Sequence, residues 1–353
     1  MIFFVGPLPP PVHGFSAVNA KIADLLKIDQ CAIFDLSPRT GVSSVARRFL
    51  LSISDYFSFA NRLIFRRPSL VYFGLSGGSR QWIDALYVWL CTVVGVRSII
   101  HHHSFAYLNT PSIRSRLLFS TFTLSTHVVL CDCMKAKLIS LYGIESARII
   151  PVSNAAFVDL PSISASSIYS QHGRFSLGFL SNISLAKGIK EVFEIFDTAL
   201  SKSDLVELVI AGPIDHSIKE WFEDQILLRS NVRYLGPVYG AEKSDFFQSI
   251  DLFLFPTSYV NEAEPMVILE ALSYGISVAA NDRGCIASLL DDSIGGMVNT
   301  STTSTGDWIA EAIADPVCHE QRSFASRRKF EQLKFDAERR LSSLINSFPR
   351  NEV

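Results

Sequence analysis

Each half of the chain repeats one pattern: short apolar runs separated by longer stretches that are apolar on one side only. In the first half, residues 2–5, 32–36, 69–73, 97–100, 127–130 and 148–152 read as strands. Between the first two, Val18, Ile22, Leu25 and Leu26 recur at helical spacing over residues 16–26. The second half restarts with strands expected at 175–180, 205–211, 232–235, 252–255, 277–280 and 296–298. Its first helix carries Ile189, Val192, Phe193, Phe196 and Leu200 on one face. Strands alternating with helices imply a mostly parallel sheet covered on both faces. The expected fold class is therefore α/β, with two doubly wound domains facing each other. The Ser-rich stretch 162–172 reads as the linker. The expected division is 1–165, 173–330 and a last segment, 331–353, with a charged helix expected over residues 323–348. Ligands of such folds bind at the C-terminal strand ends.

One segment at such a strand end stands out. The apolar run 251–256 is followed by Asn261-Glu262-Ala263-Glu264-Pro265-Met266-Val267-Ile268-Leu269-Glu270-Ala271-Leu272, with Gly275 as a stop. The helix is apolar on nearly every side, so burial is expected. Glu270 is the lone carboxylate inside it, and Glu262 and Glu264 stand at its mouth. A buried, unpartnered carboxylate costs on the order of several kcal/mol or gives up its charge. A ligand is therefore expected to hold Glu270, and sugar hydroxyls suit a carboxylate. The free amides and positive dipole end of the helix suit a phosphate. Together these describe a nucleotide-sugar site; the alternative is that Glu262 and Glu264 only complement the dipole.

These residues resemble the family-4 retaining glycosyltransferases, whose fold is the two-domain GT-B type. Glu262 and Glu270 match the family's pair of glutamates with seven residues between them. The resemblance implies that Glu262 holds the transferred sugar and Glu270 the ribose. Amides near Glu264, Pro265, Met266 and Val267 would then hold the diphosphate. The family commonly has Phe-Gly where this chain has Glu264-Pro265, and Pro is tolerated at the start of a helix.

A second match is Lys187-Gly188, after the strand 175–180. A cation at a helix N-terminus is disfavoured unless it shares an anion with the helix end. The resemblance implies that Lys187 grips the donor diphosphate. The family's Arg five residues upstream is Asn182 here, which keeps a hydrogen bond but not the charge. Gly14 lies in the loop after the first strand and resembles the family's first-domain glycine loop; a rigid Pro-rich turn is the alternative. His101-His102-His103 follows a strand, whose alternation points His101 and His103 to the same side. The resemblance sets a His against the sugar, with His103 the first candidate, His101 the second, and packing of all three the alternative. Gly284-Cys285 resembles the family's turn bordering the donor pocket. No Asp-x-Asp stands at a strand end, so no metal site and no cofactor beyond the donor itself are expected.

The net charge of −2 divides into +7 over residues 1–160 and −9 over the remainder. Basic clusters at Arg47-Arg48, Arg62 and Arg66-Arg67 either face anionic lipid at a membrane surface or form a solvated helix face. No nucleic-acid partner is expected. The chain opens almost directly on a strand, and its six cysteines are scattered without a Cys-x-x-Cys pair. They read as buried thiols of a cytoplasmic protein. The resemblance implies a metal-independent enzyme that transfers a sugar, with retention, from a nucleotide-diphosphate sugar to a glycan or lipid-linked acceptor in surface polysaccharide synthesis. The alternatives are a non-catalytic nucleotide-sugar-binding subunit and a sugar-nucleotide epimerase of the same fold.

Overall fold

The computed structural model describes residues 1–10, 14–27, 31–37, 45–75, 77–78, 81–122, 124–161, 173–291, 293–297 and 302–347. The linker expected at 162–172 lies outside them, as do residues 11–13 of the first glycine loop. The chain divides into two compact units, Met1–Phe157 with Asp336–Val353, and Val158–Phe335.

The first unit runs β1 (Ile2–Gly6), α1 (Gly14–Lys27), β2 (Cys31–Asp35), α2 (Val45–Arg66), β3 (Leu70–Leu75), α3 (Gln81–Val94) and β4 (Ser98–His102). It continues with α4 (Ala106–Asn109), α5 (Ile113–Ser120), β5 (Ser125–Val129), α6 (Asp132–Tyr142) and β6 (Ile149–Pro151). The sheet order is β2-β1-β3-β4-β5-β6, parallel throughout. Because helices cover both faces of such a sheet, its strands are continuous apolar runs instead of alternating ones. Phe3 and Phe4 are adjacent yet both fully buried. Phe3 meets Phe59 of α2 edge-on, and Phe4 stacks on Tyr72 of β3.

Two boundaries differ from the sequence expectation, with consequences for the site. Strand β4 continues through His102 because Gly74 and Leu75 of β3 pair with His101 and His102, while Val128 of β5 pairs with His101. A central strand paired on both sides has no reason to stop early. Helix α1 begins at Gly14, two residues before the expected start. Its buried Asn19 donates from Nδ2 to the Pro7 carbonyl at 2.9 Å, tying the helix to the exit of β1.

The second unit runs β7 (Phe175–Leu180), α7 (Ile189–Leu200), β8 (Val206–Ala211), α8 (Lys219–Leu227), β9 (Val232–Tyr234), α9 (Gly240–Gln248) and β10 (Leu252–Phe255). There follow α10 (Met266–Ser273), β11 (Ser277–Ala280), α11 (Ile286–Leu289), β12 (Gly295–Met297), α12 (Thr302–Ala314) and α13 (Pro316–Asn346). Its sheet order is β12-β11-β10-β7-β8-β9. From β7 the chain builds outward to β8 and β9, then returns to the other side of β7 for β10, β11 and β12. The strand order reverses between β7 and β10, the position where open α/β sheets leave a crevice at the C-terminal strand ends. Below it Leu177, Phe179, Val192, Phe196, Leu208 and Ile210 form a fully buried core. Helix α13 starts seven residues before the expected 323, and the boundary between the units passes through it. In its last part Arg340 donates from Nη1 to the Pro151 carbonyl at 3.1 Å, within the first unit.

The expectation of buried thiols holds for Cys91 but not for Cys133, which is exposed on the first turn of α6, nor for Cys31 and Cys318, which are half-buried. No helix among the described residues is long and apolar enough to cross a membrane.

Candidate functional site

The loops leaving β7 and β10 meet at the reversal point. After β7, residues Leu185–Lys187 form a 3₁₀ turn, and Gly188 then opens α7 in the left-handed conformation, φ +84°. After β10, the amide of Ser258 donates to the Ala186 carbonyl at 3.0 Å, and Thr257 Oγ1 donates to the same oxygen at 3.3 Å. Asn281, just past β11, donates from Nδ2 to the Thr257 carbonyl at 3.2 Å. The two loops are thus fastened to each other through backbone.

That fastening brings Lys187 to Glu262, seventy-five residues apart in the chain, with Nζ to Oε2 at 2.5 Å. The ammonium also lies 5.0 Å from the centre of the Tyr259 ring and 5.7 Å from that of Phe255. The ring faces and the carboxylate all favour the cation. The Lys187 side chain keeps 23% and that of Glu262 12% of its exposure, so both remain within reach of a ligand. Asn182 is exposed at the end of β7.

Two glycines make the approach possible. A Cβ on Gly188 would stand 2.1 Å from the Pro256 carbonyl oxygen, and one on Gly284 would stand 2.2 Å from that of Glu262. Both neighbours are backbone and cannot swing away, and both glycines have positive φ. Gly188→Ala is expected to destabilise the second unit by about 2–5 kcal/mol, from backbone strain plus overpacking. A urea midpoint unchanged from the parent protein would refute this account of the turn.

Helix α10 corrects one expectation and refines another. Glu270 is not alone in an apolar helix: it is half-buried and paired with Lys243 of α9 at 2.6 Å. Ser244 and Tyr274 hydroxyls, 2.6 Å apart, bind the same two helices together. The position of Glu270 in the helix therefore does not by itself require a ligand. The buried carboxylate is Glu264, 5% exposed. Pro265 precedes the helix as its N-cap, not as its first helical residue, and its carbonyl accepts from Ile268 and Leu269. The amides of Met266 and Val267 come before the first intrahelical bond, leaving two donors at a positive helix end.

The histidines lie in the first unit. His101 and His103 share one side, with ring centres 4.0 Å apart, as alternation requires. His101 is fully buried, and its Nδ1 lies 2.8 Å from the Tyr72 hydroxyl. His103 is less enclosed and packs on Phe15 of α1 at 4.7 Å, one residue beyond the exposed Gly14. Its Nε2 has no hydrogen-bond partner among the described residues. His102 points the other way, into a packed cluster: Nδ1 meets the Tyr107 hydroxyl at 2.6 Å, and Nε2 meets His127 Nδ1 at 2.9 Å. Burial holds His101 and His102 well below the usual imidazole range, and brings His103 and His127 down to about 3. All four are neutral near pH 7. Lys243, Thr257, Tyr259, Tyr72 and His127 escaped the sequence reading. Each acts through a partner at least two residues away, most of them on another element, and no local pattern announces them.

Residues 167–329 match the family model described as Glycosyl transferases group 1. The chain is 28% identical over 153 residues to the alpha-monoglucosyldiacylglycerol synthase of Streptococcus pneumoniae (strain ATCC BAA-255 / R6), covering 42% of this chain and 34% of that protein. It is 24% identical over 180 residues to the capsular polysaccharide biosynthesis glycosyltransferase CapM of Staphylococcus aureus, covering 49% of this chain and 46% of the relative. The matches thus span about a third to a half of the length of these curated relatives. In three dimensions the chain is similar to Anabaena Alr3699/HepE in complex with UDP-glucose, with a TM-score of 0.73 at 14% identity over 99% of this chain and 100% of the other. The fold is GT-B, and the meeting loops of β7 and β10 lie within residues 167–329, the stretch similar to the group 1 glycosyl transferase model.

Proposed function

We propose that the chain is a retaining, metal-independent glycosyltransferase that moves a sugar from a nucleotide-diphosphate sugar to a glycan or lipid-linked acceptor of the bacterial surface. The observation that carries this reading is the meeting of Lys187 with Glu262 at the reversal point of the second sheet. A cation and a hydroxyl acceptor stand side by side there, where doubly wound folds take ligands. Lys187 and the Met266 and Val267 amides offset charge on the departing diphosphate, a preorganised stabilisation that needs no metal ion. Asn182 adds an uncharged donor beside them. Glu262 accepts from the sugar's hydroxyls, which requires Lys187 to turn from carboxylate to phosphate as the donor enters. Glu270, already oriented by Lys243, accepts from the ribose. In the first unit, His103 is neutral and its Nε2 has no partner among the described residues, so it is able to exchange a hydrogen bond with a hydroxyl group. The similarity to CapM and to the glucosyldiacylglycerol synthase supports an acceptor at the cell surface.

A panel of uridine, guanosine and adenosine diphosphate sugars tests the donor half. One member at 100 times its Kd should stabilise the protein by about 2.7 kcal/mol, seen as a raised Tm. It should also release free nucleotide when acceptor is present. Stabilisation without release would identify a binding subunit instead, and conversion of the sugar without acceptor would identify an epimerase.

A further inference from the structure

Helix α3 is apolar on two opposite faces. Asp84, Tyr87, Val88 and Cys91 face the first unit's interior, where Tyr87 packs on Phe59 of α2 at 4.8 Å. Half a turn away, Trp82, Leu86, Trp89 and Val93 recur at spacings of four, three and four, and all are exposed, from 46% to 62%. A surface helix ordinarily presents polar residues there. Neighbouring helices extend the same character: Phe57 and Ile64 on α2, and Ile113 and Leu117 on α5, are 48% to 78% exposed. Both helices pack beside α3. An apolar surface of this kind marks an interaction site.

Charge decides the partner. Among the described side chains of α2, α3 and α5, every exposed charge is an arginine: Arg62, Arg66, Arg114 and Arg116. Arg67 and Arg97, exposed just beyond the ends of α2 and α3, add two more. A second copy of the chain, joined about a two-fold axis, would bring Arg114 and Arg116, which lie between Ile113 and Leu117 on α5, against their own counterparts. A bilayer bearing anionic headgroups meets these arginines with opposite charge. The two indoles on α3 suit the headgroup level, and the helices would lie in the interface without crossing it.

We infer that the outer face of α2, α3 and α5 is a docking surface for an anionic lipid bilayer. The inference goes beyond the donor chemistry above, and its test contains no sugar nucleotide. The purified full chain is sedimented with vesicles of phosphatidylcholine alone and of phosphatidylcholine with about one-third phosphatidylglycerol. Partition should be at least about tenfold greater with the anionic vesicles and should fall as salt is raised. It should be accompanied by a blue shift of tryptophan emission, since Trp221 and Trp308 are already packed against the core of the second unit. W82E/W89E should lose the binding and the shift while keeping the parent Tm, because both side chains are exposed. R114S/R116S should weaken binding without touching the apolar stripe. Lys187→Ala should bind vesicles as the parent does, so failure of the glycosyltransferase reading and failure of docking are separable. Equal partition to neutral and anionic vesicles, no partition to either, or a concentration-dependent dimer that shields Trp82 and Trp89 would each overturn the inference.

Discussion

On the proposed function, Lys187→Ala is expected to lower sugar transfer by about 10²–10³-fold, the cost of removing one preorganised charge on a leaving group. The fold survives the change. Lys187 lies in a partly exposed loop, and losing its pair with Glu262 costs about 1 kcal/mol at such a site. The variant's Tm should stay within about 3 °C of the parent's. Transfer at more than a tenth of the parent rate would remove Lys187 from the chemistry and, with it, the main support for the donor site. Lys187→Arg distinguishes charge from geometry. It keeps the cation but spreads it over a planar fork, and Tyr259 and Phe255 leave little room to reorient it. Partial recovery is expected, through a raised KM for donor more than a lowered kcat.

Acidification from pH 7.5 to 5.5 destabilises the first unit by about 5–6 kcal/mol, a large share of an ordinary domain's stability. The cause is His101, His102, His103 and His127, which burial holds neutral. In the unfolded chain each takes up a proton near pH 6.5; in the folded chain they stay neutral down to much lower pH. Below pH 6.5 the unfolded state therefore binds more protons. Stability falls as pH drops toward the folded values, by about 1.4 kcal/mol per imidazole per pH unit. Calorimetry should show Tm lower by about 15 °C at pH 5.5. A shift under 2 °C would mean that these rings are protonated in the fold. Carboxylates contribute little to this window, since their ordinary range lies below it. His103 is neutral throughout the same range, so no limb of the activity profile above pH 5 should belong to it.

Much of the fold was legible from residue order. All twelve strands were expected within two residues at each end, because runs such as Ile2–Gly6 and Leu252–Phe255 are apolar on both faces. The end of β4 is instructive. His101 and His102 are polar, so the expected strand stopped at Ile100, yet pairing with β3 and β5 carries β4 on through them. The start of α13 was missed because its first turns are as polar as a loop, and tertiary packing outweighs weak local preference.

Residue order by itself determined the α/β class, the restart at the second unit, and the types of residue set at the strand ends: Lys187, Glu262, Glu270, Gly188. These follow from local periodicity and from constraints that a single backbone position imposes. Tertiary structure alone decided the pairings. It joined Glu262 to Lys187 and Glu270 to Lys243, separated His102 from His101 and His103, and turned one apolar face of α3 outward. Each of these depends on which distant elements the sheet order makes neighbours. Two side chains seventy-five residues apart carry no mark of each other until β10 returns to lie beside β7.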